Sequence, residues 1–107
     1  MVFNTGAALL DAIVLAVVSK EETGTYGYKI TQDVRKAIEV SESTLYPVLR
    51  RLQKDACLEV YDVECDGRNR RYYKITGKGL EQLILYRTEW KDYSSKITKL
   101  FLGEEIV

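Results

Sequence analysis

The sequence has no histidine, a single proline and only two cysteines among its 107 residues. Cys57 and Cys65 do not have the spacing of zinc ligands, so a metal site or a disulfide framework is not expected, and both thiols should be reduced. No serine or cysteine stands beside a plausible general base, and no glycine-rich phosphate loop is present. The sequence therefore predicts a protein that is not an enzyme and needs no cofactor.

The chain also has no excess of either charge sign and no apolar stretch of membrane-spanning length. Sixteen basic residues balance sixteen acidic ones, so any nucleic-acid binding must depend on local charge. The longest apolar run, about residues 7–18, contains Asp11 and is too short to span a bilayer, and no basic leader with a cleavage site precedes it. We expect one cytoplasmic domain with a modest core and no membrane contact.

The central element of the predicted fold is a helix over residues 41–54. Ser41 suits the N-cap position, and Val40 with Leu45 can form a hydrophobic staple. Pro47 lies early in the helix and cannot donate a backbone hydrogen bond, so the carbonyl it leaves unpaired must face water or a ligand. The buried face is predicted to consist of Leu45, Val48, Leu49 and Leu52. The opposite face carries Ser43, Thr44, Tyr46, Pro47, Arg50, Arg51 and Lys54.

This polar face has two interpretations. Short polar side chains that reach base edges, followed by cations that reach phosphates, are what a helix entering the DNA major groove needs. The alternative is an ordinary solvated helix face.

Two further helices are predicted before residue 41. The first covers about residues 6–19, capped by Asn4 or Thr5, and is apolar almost all round. Such a helix is buried on more than one side, so we expect a second subunit to cover part of it; a central helix in a monomer is the alternative. After a loop over 20–24, Thr25 is expected to cap a helix over about 26–38. The short connection to the 41–54 helix predicts a helix-turn-helix.

A hairpin is predicted next, with strands over 58–64 and 70–76 and a turn over 65–69 that pivots at Asp66-Gly67. A hairpin after a helix-turn-helix is a wing, so the predicted fold is a winged helix-turn-helix, mainly α within the α+β class. A patch of seven cations is predicted from Arg50, Arg51, Lys54, Arg68, Arg70, Arg71 and Lys74. The alternative is that the hairpin cations pair with acids across the strands.

Thr76 is expected to cap a last helix that ends at Gly103. This helix is apolar on more than one face and is longer than so small a domain requires. We therefore expect a homodimer that forms through the first and last helices. The predicted organisation is a DNA-binding domain over 1–76, a dimerisation helix over 77–103 and a frayed tail over 104–107.

Three stretches, in this order, resemble the signature of PadR-type transcriptional regulators. They are residues 26–30 (Tyr-Gly-Tyr-Lys-Ile), residues 44–52, and Gly67-Arg68 leading into residues 71–79. The chain departs from the family pattern at Ala56, where a glycine is usual, and at Asp66-Gly67, where many members have two glycines. With a single predicted C-terminal helix, the chain resembles the short subfamily of these regulators. The resemblance implies a homodimeric repressor that binds a pseudo-palindromic double-stranded DNA operator through the 41–54 helix and the 65–71 wing.

The resemblance also implies roles for individual residues. The predicted DNA-binding set is Tyr26, Lys29, Ser43, Thr44, Tyr46, Pro47, Arg50, Arg51, Arg68, Arg70 and Arg71. In small multidrug-responsive members, a tryptophan in the last helix stacks on flat aromatic compounds at the dimer centre. A planar aromatic effector is therefore expected beside Trp90, Tyr86, Tyr93, Ala8 and Ala12, with plain dimer packing as the alternative. A winged-helix module that binds protein rather than DNA is the alternative function, because the zero net charge would allow it.

Overall fold

The computed structural model describes residues 6–104. The elements in chain order are α1 (Gly6–Ser19), β1 (Thr25–Tyr26), α2 (Gly27–Val34), α3 (Glu42–Lys54), β2 (Leu58–Cys65), β3 (Arg68–Ile75) and α4 (Gly77–Phe101). The three strands form an antiparallel sheet in the order β1-β3-β2. This confirms the predicted winged helix-turn-helix with a long C-terminal helix. The predicted caps Asn4 and Thr5 and the tail beyond residue 104 lie outside the described residues.

Helix α1 lies at the centre of the core. Val14, Leu15 and Val18 are fully buried, and the helix contacts α2, α3, α4 and β3. Contact with four elements of the same chain explains why almost every face of α1 is apolar. Leu9, near the start of the helix, keeps 37% of its accessible area.

Helix α3 forms as its sequence pattern predicts. Ser41 is the N-cap, and its hydroxyl accepts a hydrogen bond from the Thr44 backbone N–H at 3.2 Å. The predicted apolar stripe is buried against the core and consists of Leu45, Val48, Leu49 and Leu52. Because Pro47 lies inside the helix and has no N–H, it gives no hydrogen bond to the carbonyl of Ser43, four residues earlier.

The prediction that Thr25 caps a helix reaching residue 38 is wrong at both ends. Thr25 pairs with Tyr73 in β1, its side chain is 1% exposed, and the N-cap of α2 is Tyr26, whose side chain makes no capping bond. The helix ends at Val34, followed by turns over residues 35–38. Two residues are too few to show an alternating pattern, and it is pairing with β3 that holds Tyr26 extended at φ −121° and ψ 164°.

The hairpin turns at the predicted pivot. Asp66 and Gly67 have φ values of 52° and 77°, the positive angles of a two-residue type I′ turn. The pairing runs from Cys65 opposite Arg68 back to Leu58 opposite Ile75. Both strands reach further toward the turn than predicted, because the loop is only two residues long.

The end of α3, the base of the hairpin and the start of α4 meet at one junction. Ala56 has φ 61° and donates its backbone N–H to the carbonyl of Gln53 at 3.0 Å, while Cys57 donates to that of Leu52 at 2.9 Å. These two bonds form a Schellman motif, with alanine at the left-handed position where glycine is usual. The departure from the family pattern at Ala56 is therefore accommodated without loss of the motif.

Thr76 joins this motif to α4. Its hydroxyl donates to the carbonyl of Ala56 at 2.7 Å and accepts from the backbone N–H of Gly79 at 3.0 Å. Its own N–H donates to the carbonyl of Cys57 at 3.1 Å. A Cβ on Gly79 would lie 2.2 Å from the same carbonyl oxygen, so only glycine allows α4 to begin this close to the end of α3.

Helix α4 leaves the body of the domain after its first turns. Leu83 and Tyr86 are buried, but Ile84 and Leu85 are each 59% exposed, and Leu100 and Phe101 are 63% and 85% exposed. The helix is followed by Gly103 at φ 72°, as predicted. Among residues 6–104, no helix combines the length and apolarity needed to cross a membrane.

We expect Ala56→Gly to stabilise the protein. A residue with a Cβ pays about 1–2 kcal/mol in the left-handed region, so removing that Cβ should raise the free energy of unfolding by about 1 kcal/mol in urea denaturation. Ala37→Gly, at an exposed position without positive φ, is the matched control and should give no gain. An equal effect of the two substitutions would show that Ala56 carries no strain.

Candidate nucleic-acid interface

A cleft of about 780 Å³ lies between α3 and the wing, the hairpin formed by β2 and β3. Six of the predicted DNA-binding residues line it together: Tyr26, Tyr46, Arg50, Arg68, Arg70 and Arg71. Ser43, Thr44 and Pro47 are exposed on α3 but outside the cleft lining. The fold thus gathers residues from β1, α3 and β3 that are up to 45 positions apart in the sequence.

The N-terminus of α3 presents a cluster of hydroxyl groups. The Ser41 hydroxyl lies 2.9 Å from that of Ser43 and 3.0 Å from that of Thr44. All three side chains are exposed. Each hydroxyl can both donate and accept, so this end of the helix suits contacts with bases or phosphates.

The wing arginines point to two sides of the hairpin. Side chains alternate along a strand, so Arg68 and Arg70 project from one face of β3 and Arg71 from the other. The Arg70 guanidinium lies 4.3 Å from the centre of the Tyr26 ring, within cation–π distance. That ring in turn packs 5.5 Å from the ring of Tyr72. Tyr26 therefore supports the wing through Arg70 and Tyr72, a role that the sequence did not predict.

The wing cations are not neutralised across the hairpin. Arg71 lies opposite Asp62 and Lys74 opposite Glu59 in the strand register. Nevertheless, the five ion pairs found within residues 6–104 all lie elsewhere in the fold. The structure does not support the alternative in which the hairpin cations pair with their neighbouring acids.

Two predicted DNA-binding cations have other partners. Arg51 makes a two-point contact with Asp11 of α1, which includes a bond from its Nε to Oδ2 at 3.3 Å and raises the pKa of the guanidinium. The Lys29 ammonium lies 2.8 Å from Glu21 and 3.2 Å from Asp33, and these hydrogen bonds raise its pKa. Neither residue lines the cleft, and DNA contact by Arg51 and Lys29 stays a prediction.

Glu42 lines the cleft but was missed by the sequence reasoning. Its Oε2 accepts a hydrogen bond from the Tyr46 hydroxyl at 3.0 Å, and this bond raises the pKa of the tyrosine. The spacing of four residues, which places two side chains together on a helix, was the available signal. Gly27 also lines the cleft, and a Cβ there would lie 3.3 Å from the Tyr46 ring.

A second, apolar groove of about 420 Å³ lies between α1 and α4. Its walls are Leu9, Ala12, Ile13, Ala16, Ile38, Leu83, Tyr86, Arg87 and Trp90. Of the predicted effector residues, Ala12, Tyr86 and Trp90 are brought together here. Ala8 and Tyr93 are not in the lining, although the Tyr93 ring lies 6.1 Å from that of Trp90. Leu9 and Ile13 were not among the predicted effector residues, and their spacing of four residues on one face of α1 was the available signal.

Residues 14–84 match the model of the transcriptional regulator PadR-like family. This range contains the residues that line the cleft and the whole of the wing. The chain belongs to this family. A protein of Lysinibacillus sphaericus is 35% identical over 102 residues, which is 90% of this chain and 91% of that protein. A transcriptional regulator of Mycobacterium tuberculosis is 42% identical over 73 residues, 67% of this chain and 68% of that protein.

Solved structures agree with the PadR-like assignment. A protein from Streptococcus mutans superposes with a TM-score of 0.83 at 36% identity, covering 100% of this chain and 99% of that one. A PadR-like transcriptional regulator from Bacillus cereus gives a TM-score of 0.78 at 35% identity, covering 90% and 94%. As a PadR-like protein, the chain is a transcription regulator and not an enzyme.

We expect Arg51→Ala to affect stability, and Arg50→Ala, the neighbouring change, to affect DNA binding. Removing the ion pair between Arg51 and the partly buried Asp11 should lower the free energy of unfolding by about 1–2 kcal/mol, since the guanidinium is partly exposed. Arg50→Ala should leave unfolding almost unchanged and make the salt dependence of duplex binding less steep, by roughly 0.9 for each phosphate that is no longer neutralised. A reduced salt slope in Arg51→Ala would contradict this division of roles.

Proposed function

We propose that this PadR-like regulator is a homodimeric repressor that binds a pseudo-palindromic duplex operator. In this proposal α3 enters the major groove and the wing contacts the flanking backbone. The observation that carries the proposal is the cleft between them, lined by four arginines that make no ion pair within residues 6–104: Arg50, Arg68, Arg70 and Arg71.

In this proposal, DNA binding depends on the positive charge of the cleft, although the net charge of the chain is zero. Each cation that neutralises a phosphate releases counterions and adds roughly 0.9 to the slope of log affinity against log salt. Four such cations per subunit, doubled in a dimer, would provide strong electrostatic binding. The acids that balance the total charge include Glu21, Asp33 and Asp11, which are occupied by Lys29, Lys36 and Arg51 outside the cleft.

Sequence reading is assigned to the exposed first turns of α3. Ser43, Thr44 and Tyr46 offer hydroxyl groups to base edges, and Pro47 lies beside them with no N–H of its own. The wing cations would then position the subunit through phosphates. We accordingly propose residues 1–76 as the DNA-binding unit, residues 77–103 as the dimerisation helix and residues 104–107 as a short tail.

The proposal of a dimer is supported by the shape of the chain and by the apolar surface of α4. The Cα radius of gyration is 15.6 Å, against about 13 Å for a compact domain of this length, and the longest dimension is 59 Å. The exposed large apolar side chains of α4 include Leu80, Ile84, Leu85, Leu100 and Phe101. Apolar patches of this kind mark interaction surfaces, and a second copy supplies a complementary one. We propose half-sites roughly 34–36 Å apart, one turn of DNA.

The apolar groove is proposed as the effector site. Trp90 lines this groove and is 45% exposed. Ala12 and Tyr86 line the same groove, and the small side chain of Ala12 leaves space in it. A flat aromatic molecule would stack on the indole ring and, by altering the packing of α1 on α4, change the separation of the two DNA-binding units. Release of DNA by such a molecule, in the cytoplasm where the operator lies, completes the proposed function.

Duplex binding should depend on the wing. We expect the wild-type dimer to bind DNA from immediately upstream of its own gene more tightly than a scrambled duplex, with two chains per operator by sedimentation. Replacing Arg68, Arg70 and Arg71 by alanine should weaken this binding at least about tenfold and reduce the salt slope, because fewer phosphates are neutralised. The measurement is fluorescence anisotropy at several salt concentrations.

A matched control removes the same charge elsewhere. Lys20, Arg35 and Lys36 are exposed and outside the cleft, so their triple replacement by alanine should leave the salt slope unchanged. Duplex binding that is insensitive to the wing substitutions would contradict the wing model. Equal, weak binding to both duplexes would favour the alternative of a winged-helix module that binds protein.

Trp90 provides a direct test of the effector site, since it is the only tryptophan. We expect saturable quenching of its fluorescence by a planar aromatic probe, either the cation ethidium or the anion anthraquinone-2-sulfonate. Ala12→Leu fills the groove and should abolish the quenching, whereas Ala37→Leu, at an exposed position outside it, should not. Absence of saturable quenching by both probes, or equal quenching in Ala12→Leu, would rule out the groove as a binding site.

A further inference from the structure

We propose that Glu42 is a specificity-determining residue that accepts a hydrogen bond from the N4 amine of a cytosine in the operator, and that Tyr46 holds its carboxylate in position. This inference deepens the proposed function and rests on it. It adds a base-reading acid to a surface otherwise described by its cations and hydroxyl groups.

The geometry places Glu42 at the edge of the candidate interface. It is the first residue of α3, one turn before Tyr46, and its half-buried side chain lines the same cleft as Arg50. The Tyr46 hydroxyl donates to Oε2 at 3.0 Å, and the Tyr46 ring is in turn backed closely by Gly27. Residues at the N-terminal end of a recognition helix are those that reach base edges.

The electrostatics of the cleft make this acid unusual. Four arginines line the same cleft, yet within residues 6–104 no cation lies within ion-pair distance of the Glu42 carboxylate. The other acid in the lining, Asp66, occupies the positive-φ turn of the wing, where aspartate is favoured for backbone reasons. Glu42 has no such backbone requirement, although the first turn of a helix also favours an acid.

A carboxylate in this place selects strongly among bases. Ionised glutamate has only acceptors, so it repels the acceptors that guanine and thymine present in the major groove. Adenine offers an amine beside the acceptor N7, whereas cytosine offers its N4 amine with no acceptor next to it on the same base. Glu42 would therefore favour cytosine and, by repelling the acceptors of guanine and thymine, oppose binding at other sequences.

Glu42→Gln tests the inference through base preference. Glutamine pairs with adenine N6 and N7, so selection from a randomised duplex pool should move the preferred base at one position of each half-site from cytosine to adenine. We expect the affinity ratio of cytosine to adenine duplexes to fall roughly tenfold. Tyr46→Phe keeps the charge but frees the carboxylate, and it should weaken the preference without reversing it.

Glu81→Gln is the matched control, because it makes the same charge change at an exposed position of α4 and should select the wild-type operator. A merely structural role for Glu42 at the helix N-terminus would change thermal unfolding and leave the selected base unchanged. If the wild type selects an operator and Glu42→Gln selects the same base with the same affinity ratio, the inference alone is overturned. If the wild type selects no sequence, the proposed function fails as well.

Discussion

The close approach of Gly79 to the Cys57 carbonyl is the constraint on which the rest of the architecture depends. It lets the Thr76 hydroxyl donate a hydrogen bond to the Ala56 carbonyl, so the end of α3, the base of the wing and the start of α4 meet at one point. These hydrogen bonds constrain the angle between α3 and α4. In the proposed dimer, the separation and orientation of the two recognition helices would follow from this junction.

Cations of similar appearance in the sequence have different physical roles in the fold. Arg50 and Arg51 are adjacent, but successive helical residues differ by about 100° in direction, so one lines the cleft and the other meets Asp11 of α1. The ion pair between Arg51 and Asp11 joins α3 to α1, which also forms a wall of the apolar groove. Charge retained in the cleft and charge used for packing are thus separated within a single turn of helix.

Much of the fold could be predicted because its signals are local. The Ser41 cap, the buried stripe of α3, the Asp66-Gly67 turn and the Thr76 cap each depend on residues a few positions apart, and the structure confirms them. The candidate site was predictable in part, since six expected residues meet in one cleft. Strand β1 was not, because its two residues are extended only through pairing with β3.

Periodicity, capping and positive-φ preferences act over one or two turns of chain, so the amino-acid sequence was enough to predict the four helices, the hairpin with its turn and the buried face of α3, although not β1. Which cations form ion pairs follows from tertiary packing, since their partners lie up to 40 residues away, as Asp11 does from Arg51. Packing likewise brings Glu42 into the lining of the arginine-rich cleft and places Ala12 in one groove with Tyr86. Those contacts arise from packing between elements, which local patterns do not encode.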